Sequence, residues 1–134
     1  RSRKAAMARR VAEGTPVVIL AYAGRDPVAW CSIAPRDTYR RLGGQEQPPE
    51  EVVWSIVCFF VKRHVRGGGV LKRLIGEAVA RAQGSGATVV EAYPVDPDSP
   101  SYRFMGFVSS FSDAGFREVG RAGTRRHVMR RDLA

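Results

Sequence analysis

Between residues 52 and 82 the hydrophobic period of the chain changes once, and the change predicts a strand, a turn and a helix in succession. Residues 52–61 (VVWSIVCFFV) are almost wholly apolar and rich in β-branched and aromatic side chains, the pattern of a strand covered on both faces. Beyond Gly69, apolar residues recur at Leu71, Leu74, Ile75, Ala78, Val79 and Ala82, which is helical spacing with one continuous apolar face. Arg66-Gly67-Gly68-Gly69 stands between the two, directly at the predicted helix N-terminus. The first turn of a helix carries unpaired N–H groups and a partial positive charge, so this turn predicts an anion site, with Arg66 and Lys72 adding full charges.

The flanks give the remaining elements. Residues 2–13 have helical composition and end at Gly14 and Pro16. Two short strands, 17–22 and 28–33, are joined through Ala23-Gly24-Arg25-Asp26-Pro27 and read as a hairpin. A polar loop over 36–51 contains Gly43-Gly44 and Pro48-Pro49. Gln83-Gly84-Ser85-Gly86 stops the central helix, and residues 88–93 form the next strand, so strand, helix and strand make a right-handed parallel crossover. After Pro94, Pro97 and Pro100, a helix capped at Asp98 or Ser99 is predicted to run to about Ala114 and bury Phe104, Phe107, Val108 and Phe111. Residues 116–121 and 125–131 close the chain as a strand pair around Ala122-Gly123-Thr124. The order predicts an α/β fold, a mixed sheet with helices on both faces. There is no internal repeat, and residues 1–134 read as one domain.

Composition narrows this without redirecting it. With 44% hydrophobic and 26% charged residues the chain is an ordinary globular one, and no apolar run approaches the roughly 18 residues of a membrane span. The basic start RSRKAAMARR has no apolar run behind it, so no signal peptide is visible, and the absence of an initiating Met suggests a missing N-terminal segment. Cys31 and Cys58 both lie in apolar strand-like runs and read as buried reduced thiols, which points to the cytoplasm. Two Cys and two His without metal-ligand spacing argue against structural zinc. The net charge of +9 comes from 19 Arg and 3 Lys spread along the chain, the mark of a GC-rich coding bias and a mildly electropositive surface more than of a nucleic-acid arm.

Known phosphate loops do not fit the glycine turn. Lys72 is followed by Arg73 instead of the Ser or Thr of a triphosphate loop, and Lys72 also stands where the third glycine of G-x-G-x-x-G belongs. The block as a whole resembles the GNAT superfamily of acetyl-CoA-dependent acyltransferases, whose signature R/Q-x-x-G-x-G/A lies between the fourth strand and the next helix. Arg66 and Gly69 match it, Arg66 follows Val61 by the expected five residues, and Leu71 departs from the final Gly/Ala. The likeness extends from Val17 to the C-terminus, including a late Gly115-Phe116 pair. The family's first strand and helix have no counterpart, as in an N-terminally incomplete chain.

The resemblance implies a twisted sheet of about six strands and acetyl-CoA as cosubstrate. Backbone amides of Gly67, Gly68, Gly69, Val70 and Leu71 would cradle its pyrophosphate, Arg66 and Lys72 would add charge, and Phe60 and Val61 would pair with the pantetheine arm. That pairing requires the fourth and fifth strands to part. It further implies an N-acetyltransferase working by direct transfer to a primary amine, on a small molecule or a protein, with no membrane partner and a homodimer as the candidate assembly. Two groups are candidates for the chemistry. Glu91, the carboxylate inside strand 88–93, is a general base or substrate anchor in one reading and an ion-paired strand residue in the other. Phe111 stands where the family often has its acidic Tyr, whereas Tyr102 holds the same relation to the earlier Gly106-Phe107 pair and is the candidate acid. Cys58 lacks a local activating His and reads as a small core residue. His64 and His127 read as surface residues, Tyr22, Trp30 and Trp54 as core or half-core aromatics, and the Arg-rich strand 125–131 as a solvated edge. Phe111 and Leu71 motivate a second reading, a non-catalytic coenzyme A sensor; a basic nucleic-acid-binding module ranks third.

Overall fold

The computed structural model describes residues 17–39, 42–44, 47–65 and 69–133. The helix predicted over 2–13 and the turn residues Arg66, Gly67 and Gly68 lie outside the described residues. In chain order the elements are β1 (Val17–Ala23), β2 (Asp26–Pro35), β3 (Val53–Val61), α1 (Val70–Gly84), β4 (Val89–Ala92), α2 (Val108–Asp113), β5 (Arg117–Ala122) and β6 (Arg126–Asp132), with 3-10 turns at Arg36–Thr38, Arg63–Val65 and Arg103–Met105. They build a six-stranded sheet in the order β1-β2-β3-β4-β6-β5. β3 and β4 run parallel, joined through α1, while the other neighbours run antiparallel.

α1 forms where the period predicts it. Leu74, Ile75, Ala78, Val79 and Ala82 are its buried face, and they pack on Ile33, Trp54, Ile56, Val90 and Met129 of the sheet. Each large side chain buried there contributes roughly 1.5–3 kcal/mol. The helix stops as Gly86 takes a φ of +95° and the Ala87 amide turns back to donate to the Ala82 carbonyl. On the opposite sheet face Val57, Tyr93, Met105, Ala122 and Val128 form a smaller cluster, against which Tyr39 and Leu42 of the 36–51 segment pack. Among the described residues no helix is long and apolar enough to cross a membrane.

The fold departs from the sequence pattern at several places. The long helix over 98–114 is broken: a 3-10 turn at Arg103–Met105 is separated from α2 by Gly106, whose φ of +87° is not helical. The break has a cause, because Val95 pairs with this stretch, donating to Gly106 O and accepting from Val108 N. Phe104 is therefore exposed instead of buried. The Arg-rich closing strand is no edge, since β6 lies between β4 and β5 and buries His127, Val128, Met129 and Arg130. His127 is held between Glu118 (2.8 Å) and Asp96 (3.0 Å), whereas His64 is exposed as expected. Tyr22 and Trp30 are also exposed, Trp30 stacking on Phe60 with ring centroids 4.4 Å apart; Trp54 is in the core.

Candidate active site

The parallel ladder between β3 and β4 is short. It joins Val53 through Ile56 to Val89 through Ala92 and then ends. β3 continues for five more residues, still paired to β2, while the other chain leaves through Tyr93 and Pro94. Proline has no N–H for a ladder, which suits the point of departure. The gap is a cleft of about 580 Å³. Phe59, Phe60 and Val61 line one side, Gly69, Val70 and Leu71 the start of α1, and Arg103, Phe104, Gly106 and Phe107 the far wall. The parting of strands that pantetheine pairing requires is thus present.

A bulge aims the β3 side of this cleft. Trp30 pairs with Phe60 but Ser32 with Val57, so Cys31 faces two residues, Cys58 and Phe59. Cys58 absorbs the extra residue with a φ of +57°. Side-chain alternation shifts by one beyond it, and Phe59 and Val61 join Trp54 and Ile56 against the helix-side core. Cys58 is exposed, contrary to its reading as a core thiol, while Cys31 is buried. Desolvation pushes both thiols up, Cys31 to about 12. One fast-reacting thiol is therefore expected in the native protein. Its rate with Ellman's reagent should keep rising as pH passes 9, because the thiolate forms only there; Cys58→Ser should remove the reaction, and unfolding should expose a second thiol.

The mouth of the cleft is the N-terminus of α1. Gly69 caps the helix in the left-handed conformation, φ +79°, with no side-chain cap and no acidic residue in the first turn. Val70, Leu71 and Lys72 thus present amides that the helix itself does not use. A Cβ on Gly69 would meet no atom within 4 Å, so the glycine is demanded by its backbone and not by crowding. Leu71 lines the cleft and is half-buried against the core cluster, while Lys72 is exposed on the same turn. The structure therefore brings Phe60, Val61, Gly69, Val70 and Leu71 together.

It places the two chemical candidates differently. Tyr102 is exposed, left-handed (φ +58°), and carries the Arg126 guanidinium 4.8 Å above its ring; it starts the turn whose next residues line the cleft without lining it itself. Glu91 is fully buried on the sheet face away from α1. Its Oε1 accepts from Arg36 Nη1 and from the Tyr93 hydroxyl, both at 2.8 Å, and its Oε2 lies 3.2 Å from Arg130 Nε. Ser55 Oγ is 2.6 Å from the Tyr93 oxygen. As Tyr93 gives its proton to Glu91, Ser55 donates to Tyr93. Burial, then the neighbouring Glu91 charge, raise Tyr93 well above the ordinary phenol range. Arg36, Tyr93 and Arg130 were not singled out from sequence. The available signal was Glu91 itself, since a carboxylate in an apolar strand must find cations elsewhere in the chain. Phe111 is a fully buried core ring packed edge-on against Phe59 and Phe116, so its lack of a hydroxyl says nothing about the cleft.

Comparison with known proteins agrees with this geometry. Residues 2–107 match the model of the Acetyltransferase (GNAT) family. No curated protein sequence matches the chain. Among solved structures, ribosomal-protein-alanine N-acetyltransferase from Brucella melitensis is 20% identical with a TM-score of 0.64, over 98% of this chain and 76% of that one. The GNAT domain of S. lividans PAT is 20% identical with a TM-score of 0.66, over 99% and 70%. PaiA N-acetyltransferase from Thermoplasma acidophilum, solved in complex with coenzyme A, is 13% identical with a TM-score of 0.65, over 94% and 66%. These likenesses are of fold, and the family match covers most of the sequence: the chain is a member of the GNAT acetyltransferase family.

Proposed function

We propose that the protein is an N-acetyltransferase that moves the acetyl group of acetyl-CoA to a primary amine by direct transfer in a ternary complex. The observation that carries this reading is the parting of β3 and β4 beyond Ile56 and Ala92, with the uncapped start of α1 at the mouth of the gap. The pantetheine amides extend the sheet along β3 at Phe60 and Val61, and the pyrophosphate sits on the first-turn amides of α1, with Gly69 giving close access and Lys72 adding charge. Arg66, Gly67 and Gly68 complete the phosphate cradle in this proposal. The amine nitrogen attacks the thioester carbonyl; the C–N bond forms, the C–S bond breaks, the nitrogen gives up its proton to solvent water and the thiolate gains one. Tyr102 donates that proton, brought to the sulfur with the Arg103–Met105 turn.

Calorimetric titration with acetyl-CoA should give a saturable isotherm in the micromolar range, and an amine panel of amino acids, polyamines and peptides with free N-termini should release free thiol. Tyr102→Phe should lower kcat at least tenfold with the acetyl-CoA dissociation constant within about twofold of wild type. No binding up to millimolar acetyl-CoA sinks the reading. Leu71, standing where the family motif has Gly or Ala, favours a second one, a domain that binds coenzyme A without turnover, and binding with no amine acetylated would establish it.

A further inference from the structure

Glu91 is the meeting point of a closed ring of polar contacts. From Glu91 Oε1 the ring passes to Arg36 Nη1 (2.8 Å), from Arg36 Nη2 to Gln47 Oε1 (3.4 Å), and from Gln47 Nε2 to the Glu51 carbonyl (2.9 Å). It returns by a hydrogen bond from Arg130 Nη2 to Glu51 Oε1 (2.8 Å), and is closed by an ion pair without hydrogen-bond geometry between Arg130 Nε and Glu91 Oε2 (3.2 Å). Arg36 begins the segment between β2 and β3, and Gln47 and Glu51 end it. Gly44 in its middle lies so close over the carboxylate that a Cβ there would collide with Glu91 Oε1. Both ends of the described part of this segment (36–39, 42–44 and 47–51) are therefore linked to one buried side chain, Arg36 directly and Gln47 and Glu51 through Arg36 and Arg130, while Gly44 packs over it.

The fastening reaches the cleft by two routes. Leu42 of the segment accepts from Arg126 Nη1 (3.3 Å), and Arg126 stacks on Tyr102, which opens the turn carrying the far wall. Tyr93, bonded to Glu91, packs in one cluster with Val57 and Met105, and Met105 is flanked by the wall residues Phe104 and Gly106. Among the described residues Arg36, Arg130, Tyr93 and the Gly44 backbone crowd the fully buried carboxylate, leaving no room for a substrate nitrogen beside it.

We infer that Glu91 is a positioning residue: with Arg36 and Arg130 it straps the described parts of the segment between β2 and β3 to the sheet, and the strap, through Arg126 and Tyr102, braces the far wall of the cleft at Arg103, Phe104 and Gly106, the side we assign to the amine. This rests on the N-acetyltransferase reading and assigns amine recognition within it to the strap. A charge removed from such a ring takes a short ionic contact from each of its neighbours and loosens the segment they hold, so the effect should appear in the strap and in affinity for the amine more than in the chemical step.

The test uses the panel amine that wild-type protein turns over fastest. In Glu91→Gln and in Arg36→Met, KM for that amine should rise tenfold or more, while kcat falls less than threefold, acetyl-CoA affinity stays within twofold and the pH profile of kcat keeps its shape. The double variant should be no worse than the poorer single, because both break the same ring. A hundredfold loss of kcat in Glu91→Gln with KM unchanged and the acidic limb of the profile gone would make Glu91 the base and overturn the inference. Should Glu91→Gln fail to fold, Gly44→Val lifts the strap with every charge intact and must give the same rise in KM. Hydrogen exchange supplies an arm independent of turnover: peptides containing Arg36–Thr38 and Gln47–Glu51 should lose protection at least tenfold in the variants. If wild type acetylates no amine the N-acetyltransferase reading falls, and unchanged exchange then removes the strap as well.

Discussion

Replacing Gly69 by aspartate should lower acetyl-CoA affinity by three orders of magnitude or more. Two effects add. A non-glycine residue at φ +79° costs of order 1–3 kcal/mol, because its Cβ crowds its own backbone. That part falls mainly on stability, since no other atom lies within 4 Å of the new Cβ. The second effect falls on binding. In the proposed complex the carboxylate projects into the open space over the first turn of α1, where the pyrophosphate needs the uncapped amides. Two unit charges about 4 Å apart repel by about 4 kcal/mol at the effective dielectric of a protein surface. Gly69→Ala separates the two contributions, keeping the strain and omitting the charge: its loss of melting temperature should resemble that of Gly69→Asp, with affinity reduced tenfold or less. Calorimetry on the three proteins decides the matter, and an aspartate variant that binds like wild type removes the phosphate assignment.

That site was legible in the sequence because it is built from local signals. The change of period between residues 52 and 82, the glycine at a helix start and the apolar stripe of α1 are each decided by neighbours within a few positions, and β3, α1 and β4 form where those signals put them. The β1–β2 hairpin is local too, turned at Gly24 with φ +65°. What sequence did not disclose depends on partners remote in the chain. Gly106 breaks the predicted helix because Val95, eleven positions earlier, pairs with its flanks. β6 reads as an edge by charge, yet becomes interior because Arg130 stands opposite Glu91 in the β4–β6 register and finds Glu51 as well. Cys58 follows no rule of composition; an extra residue on β3 opposite Cys31 must bulge somewhere, and the bulge falls there. Glu91 combines both cases. Its strand was predicted from its neighbours, while its surroundings are assembled from residues 36, 44, 93 and 130.

Gly106→Ala should cost the fold about 3 kcal/mol through the addition of a single methyl group. Gly106 sits at φ +87° and ψ 178°, a region that L side chains essentially do not occupy, at a cost of about 1–3 kcal/mol when forced. The added carbon would stand 3.0 Å from the Phe111 ring and 3.3 Å from the Phe59 ring. Neither ring has an easy way to retreat. Phe111 is fully buried and packed edge-on against both Phe59 and Phe116, at 5.6 and 5.1 Å between centroids. Interiors packed to crystal density pass such a displacement on, and overpacking of this kind adds about 1–3 kcal/mol. A total near 3 kcal/mol lowers the melting temperature by about 10 °C in a domain of this size. The displaced Phe59 is also a wall of the cleft, so acetyl-CoA affinity should fall with stability. Gly76→Ala provides the contrast: it lies in the exposed face of α1 with open space around it, and alanine there should raise stability by about 0.5–1 kcal/mol. Thermal denaturation of the two variants should therefore move in opposite directions from wild type. If Gly106→Ala melts within about 2 °C of wild type, the glycine is not held by its backbone, and the Val95 pairing is not what breaks the helix.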